Sequence, residues 1–287
     1  MHNLRQNQTK FIALMLLAIS FLAFGGIFVK LSELPPINTG FYRILFAVPF
    51  LFPFVYKDLK KLSKKEVGLL LLSGVFLAFD LILWHISFSY TTVANANLLA
   101  NLVPFTIIPV SYFLFKEKIN LYFFIGLVVT LVGIVILVSG KLNPTPDNFI
   151  GDLMAFSTSI FYALFMITIY KMRDKIKTTT VIFVSAFGSL PVLAIAMGIN
   201  EGIYIPMSFD ELWPLLALAL LCHIGGQGLM AFCLGKVSAN LSSVLVLAQP
   251  VIAGIYAFIL FEEVLSIFEV FGMFVVLVGI YFAKKNA

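Results

Sequence analysis

A chain of 287 residues that is 61% hydrophobic, 11% charged and has a mean hydropathy of +1.05 carries more apolar surface than a soluble fold of its size can bury. That excludes a water-soluble enzyme or binding module and makes lipid the solvent for much of the chain. The net charge of +5 is no sign of a nucleic-acid partner, because the basic residues sit in short connections between apolar stretches.

About 20 apolar residues cross the hydrocarbon core. Ten such stretches follow one another, at roughly 11–30, 37–56, 67–88, 92–115, 119–139, 151–170, 179–199, 212–234, 239–261 and 266–283; they are numbered here as spans 1 to 10. Span 1 lacks a small-x-small cleavage site and nine more spans follow it, so it reads as a retained helix and not a signal peptide. Span 2 carries Arg43. Span 3 carries Asp80, with Trp84 one turn on, His85 beside it and Tyr90 near its end. Span 4 places Asn97, Asn101 and Pro104 at i, i+4, i+7 on one helix face and ends in Phe115-Lys116-Glu117. Span 5 holds Gly126 and Gly133. An Asn-Pro-Thr-Pro-Asp linker then leads to span 6. Span 8 sets His223 and Gln227 on one face among Gly225, Gly226 and Gly228. Its two cysteines, Cys222 and Cys233, lie about three turns apart and cannot bridge within the helix. Span 9 carries Asn240, Ser243 and Pro250 and ends at Glu263, and span 10 holds Gly272 and Gly279.

The chain matches itself at a shift of 146 residues. Eleven of the thirty-six positions from Leu99 to Ile134 are identical to their shifted partners, among them Pro104/Pro250, Phe115/Phe261, Glu117/Glu263, Gly126/Gly272 and Gly133/Gly279. Five spans per copy is an odd number, so the second copy enters the bilayer from the opposite side, an inverted pair. With the N-terminus inside, sixteen of the nineteen basic residues fall on the inner side, two outside and Arg43 within a span. That asymmetry predicts an N-in/C-in topology. The fold expected is all-α and membrane-integral, with ten transmembrane helices as two inverted five-helix repeats.

Charges within the bilayer are costly and mark function by default. Arg43 and Asp80 are the two set well inside spans, at matching depth, which predicts a salt bridge between them and makes Asp80 a candidate for substrate or proton binding. The Asn97/Asn101 face, with its repeat in Asn240 and Ser243, predicts a polar cavity wall. Pro104 and Pro250 free backbone carbonyls near mid-bilayer and act as kinks or hinges. His223 titrates near neutral pH as a free side chain and is a candidate proton-coupling group. The seven-residue glycine spacing gives spans 5 and 10 a smooth stripe for close packing, a dimer contact included. No His-Glu-x-x-His, Gly-x-Ser-x-Gly or metal-ligand spacing appears, so neither an enzyme nor a cofactor is expected.

A fourth span with a central proline and a Phe-x-Glu end, followed by a Gly-x6-Gly span, all duplicated, resembles the drug/metabolite transporter superfamily in its ten-helix branch of paired EamA-type domains. The likeness covers essentially the whole chain, with residues 1–140 as the first repeat, 141–150 as an outer linker and 151–287 as the second. Arg43 fits the first-repeat pattern, whereas the second has Val184-Ser185-Ala186 in the equivalent region. The resemblance implies a plasma-membrane (bacterial inner membrane) secondary transporter of amino acids or related metabolites, working outward by alternating access. Uptake of a nucleotide-type metabolite such as S-adenosylmethionine, or a channel-like facilitator, is the alternative. It implies a cavity lined by spans 1, 3, 4, 6, 8 and 9, with 5 and 10 peripheral. Asp80, Trp84, Asn97, Asn101, His223, Gln227 and Arg43 are the candidate substrate or coupling residues, and Glu117 and Glu263 the capping or conformational ones. The partners expected are a small-molecule substrate, the lipid bilayer and protons, with the chain a monomer or a homodimer.

Overall fold

The computed structural model describes residues 2–87, 89–117, 119–139, 148–173, 175–234, 236–262 and 264–285, leaving aside the side chains of 2–8, 93 and 94. Among the described residues the secondary structure is helical throughout, and ten spans are long and apolar enough to cross a membrane. They run Thr9–Leu31, Pro36–Leu59, Lys64–Ser87, Asn95–Phe115, Leu121–Val138, Phe149–Met172, Thr178–Asn200, Phe209–Leu234, Ala239–Phe261 and Ile267–Lys284. The protein is an all-α membrane protein. Glu263 and most of the linker lie outside the described residues.

Several spans are broken, and prolines account for three of the breaks. Span 2 is two helices, Pro36–Leu45 and Ala47–Leu59, because Pro49 offers no N–H to the Leu45 carbonyl. Span 4 divides into Val93–Ala100 and Pro104–Phe115, and span 9 into Ala239–Val246 and Gln249–Phe261, each with a proline in the first turn of its second piece. The expected single helix through Asn97, Asn101 and Pro104 is therefore corrected. Asn101 ends the first piece, with its Nδ2 donating back to the Asn97 carbonyl at 2.6 Å. Span 8 contains a ten-residue π-helix, Leu218–Gln227, around His223; such i→i+5 winding is rare and gathers at functional sites. Both copies of the fourth span end on a left-handed residue, Lys116 at φ 55° and Glu262 at φ 53°.

The two halves are interleaved. Span 3 packs on spans 6 and 7, and its counterpart span 8 packs on spans 1 and 2; span 4 meets 6 as span 9 meets 1. At the span 3–7 crossing the backbones touch: a Cβ on Gly74 would lie 1.8 Å from the Ser185 carbonyl oxygen, and one on Gly188 would lie 2.0 Å from that of Leu71. Spans 5 and 10 form the most extensive contact in the molecule. A Cβ on Gly126 would lie 2.2 Å from the Ala283 nitrogen, and one on Gly272 would lie 2.4 Å from that of Leu137. The stripe read from the sequence as a close-packing face, a dimer contact included, is an intramolecular crossing of spans 5 and 10, its smooth faces consumed by each other. The opposite faces of these spans, with Phe124, Val132, Phe271 and Phe274, remain exposed, as lipid contact requires.

Acidic residues at span ends tie one half to the other. The Glu201 carboxylate, past the end of span 7, accepts from the Ile37 and Asn38 backbone N–H groups and from Asn38 Nδ2 at 2.9–3.0 Å, capping span 2. At the other end of the same pair, Asp58 of span 2 binds Lys177 at the start of span 7 at 2.8 Å.

Candidate functional site

One cleft dominates the interior, about 780 Å³ with its mouth included. It runs from mid-bundle, at Leu22 and Val246, toward the end holding the 31–36 and 201–208 loops. The opposite half is packed solid. Met15, Ile19, Ile107, Ala163, Val244 and Leu245 are fully buried there, spread over spans 1, 4, 6 and 9.

Six of the seven residues singled out as binding or coupling candidates stand in the cleft wall: Arg43, Asp80, Trp84, Asn97, Asn101 and Gln227. Asp80 and Trp84 are one turn apart on span 3, so both face inward. Trp84 Nε1 donates to Asn97 Oδ1 at 3.1 Å, joining spans 3 and 4 across the wall. Span 2 adds Arg43 to the spans that the resemblance implied. The expected Arg43–Asp80 salt bridge is not formed: among the described residues the ion pairs within 4.0 Å are Lys61–Asp58 and Lys177–Asp58. Arg43 Nε is buried without a hydrogen-bond partner. Both residues line the same cleft, on spans 2 and 3, and make no ion pair with each other.

His223 does not line the cleft. It is 1% exposed, within the π-helix, and its Nε2 has no partner. His85, 5% exposed with both ring nitrogens unpartnered, faces Gly40 of span 2, with its ring centroid 5.1 Å from that of Trp84. Asn240 and Ser243 are also removed from the cleft, which corrects the reading of them as cavity lining. The Asn240 side chain bonds Ser111 of span 4, and Ser243 Oγ donates to the Asn240 carbonyl at 2.7 Å. The Asn240 bond crosses to span 4, and the Ser243 bond stays within its own helix.

Glu117 lies at the closed end. Its carboxylate accepts from Tyr170 Oη at 2.7 Å and from the backbone N–H groups of Ala239 and Asn240 at 3.0 and 3.1 Å. One side chain at the end of span 4 therefore caps span 9 and holds span 6. Pro104 and Pro250 sit beside the wall residues Val103 and Gln249 and set the breaks that expose them.

The sequence missed Tyr162, Thr158, Gln249, Gly25 and Gly26 as wall residues. Gln249 was the one with a signal, a polar residue in an apolar span directly before a proline. Tyr162 is one of ten tyrosines, and nothing in its local pattern separates it from a lipid-facing ring.

The comparisons with known proteins converge on this architecture. The model of the EamA-like transporter family matches residues 9–139 and again 149–284. The chain belongs to that family. It is 28% identical over 280 residues to an uncharacterised transporter of Archaeoglobus fulgidus, covering 93% of this chain and 95% of the relative. It is 27% identical over 241 residues to the uncharacterised transporter YetK of Bacillus subtilis, covering 79% and 71%. A WAT1-related chloroplast protein of Arabidopsis thaliana matches over 144 residues at 26%, half of this chain and 34% of the relative. A crystal structure covering 96% of this chain and 97% of its own superposes with a TM-score of 0.82 at 15% identity, a likeness of fold. This EamA-family chain is a multi-pass membrane transporter.

Proposed function

We propose that this EamA-family transporter exports amino acids or closely related zwitterionic metabolites across the plasma membrane (the bacterial inner membrane) by alternating access. The observation that carries the reading is the pair of separated charges in one cleft. Arg43 presents a guanidinium with a buried, unpartnered Nε, and Asp80 presents a carboxylate that no residue neutralises by contact. An unpaired charge at membrane depth costs at least ~2.5 kcal/mol. A solute with a carboxylate and an ammonium a few ångströms apart answers both charges at once, and the planar guanidinium suits a carboxylate in bidentate fashion. Trp84, Leu22 and Val246 add apolar stretches of wall, fit for a side chain. The outward direction is part of this proposal and follows what the resemblance read from the sequence implies. The lysine asymmetry supports N-in/C-in, which makes the cleft outward-facing and the Glu117 end the closed inner gate.

The test is counterflow in proteoliposomes with labelled amino acids. Saturable exchange is expected, with Asp80→Asn and Arg43→Gln each lowering substrate affinity roughly tenfold or more, the value of one charged hydrogen bond. Both variants should elute as folded protein. Linear, non-saturating flux with both variants at wild-type rates would sink the proposal.

A further inference from the structure

At the Glu117 end, two inner turns from opposite halves come together. The turn between spans 2 and 3 brings exposed Lys57, Lys60, Lys61, Lys64 and Lys65, and the turn between spans 6 and 7 brings exposed Lys171, Lys175 and Lys177. More than a hundred residues separate the two sets in the chain, yet Lys177 reaches Asp58 at 2.8 Å and the charge of Lys175 falls near Glu66. Asp174 of the second turn lies outside the described residues, and among the described residues the local acids do not cancel the patch. Asp58 is shared by Lys61 and Lys177, and Glu66 is turned back on the Ser63 backbone and hydroxyl at 2.9 and 2.8 Å.

Directly beneath this rim lies an aromatic strip on spans 2 and 7. Phe52 and Phe54 are 52% and 71% exposed, and Phe187 is 47% exposed. Phe52 touches Phe183, which touches Phe187, with ring centroids 6.1 and 5.1 Å apart. Lys57 Nζ lies 5.6 Å over the ring of Tyr56, where strip and rim join. The insertion rule explains why lysines collect on one side of the membrane. It does not explain why the two halves set eight of them around one pair of helices, above an unpartnered apolar strip.

We propose that this corner is a binding seat for an anionic phospholipid of the adjoining leaflet. Its phosphate is held by the lysine rim and its acyl chains lie along the Phe52–Phe187 strip. Charge complementarity selects the headgroup, and juxtamembrane lysine clusters attract anionic lipid in this way. The proposal is independent of the transport reading, since none of these residues lines the cleft.

Native mass spectrometry of the delipidated full chain, titrated with palmitoyl-oleoyl phosphatidylglycerol or phosphatidylcholine, tests it. Phosphatidylglycerol should be retained in preference to phosphatidylcholine. Lys60→Gln, Lys64→Gln and Lys175→Gln together should weaken its binding by about fivefold per lysine. The control set Lys236→Gln, Lys284→Gln and Lys285→Gln, equal in charge and away from the corner, should leave it within about twofold. Equal retention of both lipids, equal loss in both variant sets, or displacement of the lipid by millimolar inorganic phosphate overturns the proposal. Should the first set fail to fold, Asp58→Asn decides: it unties Lys61 and Lys177, so tighter phosphatidylglycerol binding supports the seat and unchanged or weaker binding refutes it.

Discussion

Gly26 and Gly126 are both helical glycines in apolar spans, and their surroundings give them opposite tolerances. A Cβ on Gly26 meets nothing within 4 Å, because it projects into the cleft, whereas one on Gly126 would meet Ala283 backbone at 2.2 Å. Gly26→Leu should therefore fold as well as the parent, helped by up to ~1 kcal/mol of helix propensity. It should also narrow the cleft and abolish counterflow of the bulkier substrates first. Gly126→Leu should force spans 5 and 10 apart, at a cost of ~1–3 kcal/mol or more from overpacking. Thermal unfolding of the purified variants separates the two, and a Gly26→Leu protein that is folded yet unchanged in substrate range counts against this cleft as the route. Arg43 belongs to the same scale. It lies in the first helix of span 2, ahead of the break, and so faces the cleft without meeting Asp80.

The broken spans are what make the cleft. A proline near mid-bilayer leaves carbonyls without intrahelical partners, which is tolerable where protein or an aqueous cavity supplies others. In span 4 the break turns Asn97 and Asn101 to the cleft. In span 9 the corresponding break exposes Gln249, while Asn240 is tied to Ser111. Glu117 fastens the closed end through three hydrogen bonds that reach spans 6 and 9. If that end opens during transport, those bonds break. Glu117→Gln weakens charged hydrogen bonds of about 1.5–3 kcal/mol, enough to raise the population open at that end roughly tenfold. The measurement is the labelling rate of a cysteine at Ser243, in a chain with Cys222 and Cys233 replaced by serine, using an impermeant maleimide. A labelling rate that does not change while stability falls would reduce Glu117 to a helix cap.

At the scale of the molecule, the halves do not pack as two separate domains. Each span of one half leans on the other half, so a tilt of one repeat must slide along the 3–7 and 8–2 contacts and open one end as it closes the other. The present arrangement has the cleft open toward the 31–36 and 201–208 loops. Orientation in the membrane is therefore the quantity that turns this geometry into a direction. A fluorescent protein fused to the C-terminus should be bright, as it is when folded in the cytoplasm. A dark fusion, with alkaline phosphatase active at the same position, reverses the topology and makes the cleft inward-facing.

Span number, span order, the duplication and the placing of Arg43 and Asp80 within apolar spans were legible in the sequence alone. Each follows from local quantities: the run of apolar residues that hydrocarbon demands, the count of lysines at span ends, and the 146-residue register. Which way a span faces was not legible. In a bilayer, lipid and protein neighbours are equally apolar, so the periodicity that orients a helix in a soluble core carries little signal here. Asn97 and Asn240 show the consequence. They occupy similar places in the two repeats, yet one sees the cleft and the other is consumed by a hydrogen bond to span 4. The separation of Arg43 from Asp80, the π-helix around His223, the inward crossing of the two glycine stripes and the meeting of two distant lysine turns all depend on how one half packs against the other. The tertiary structure decided them, because the partner in every case lies in a segment too far along the chain for local pattern to reach.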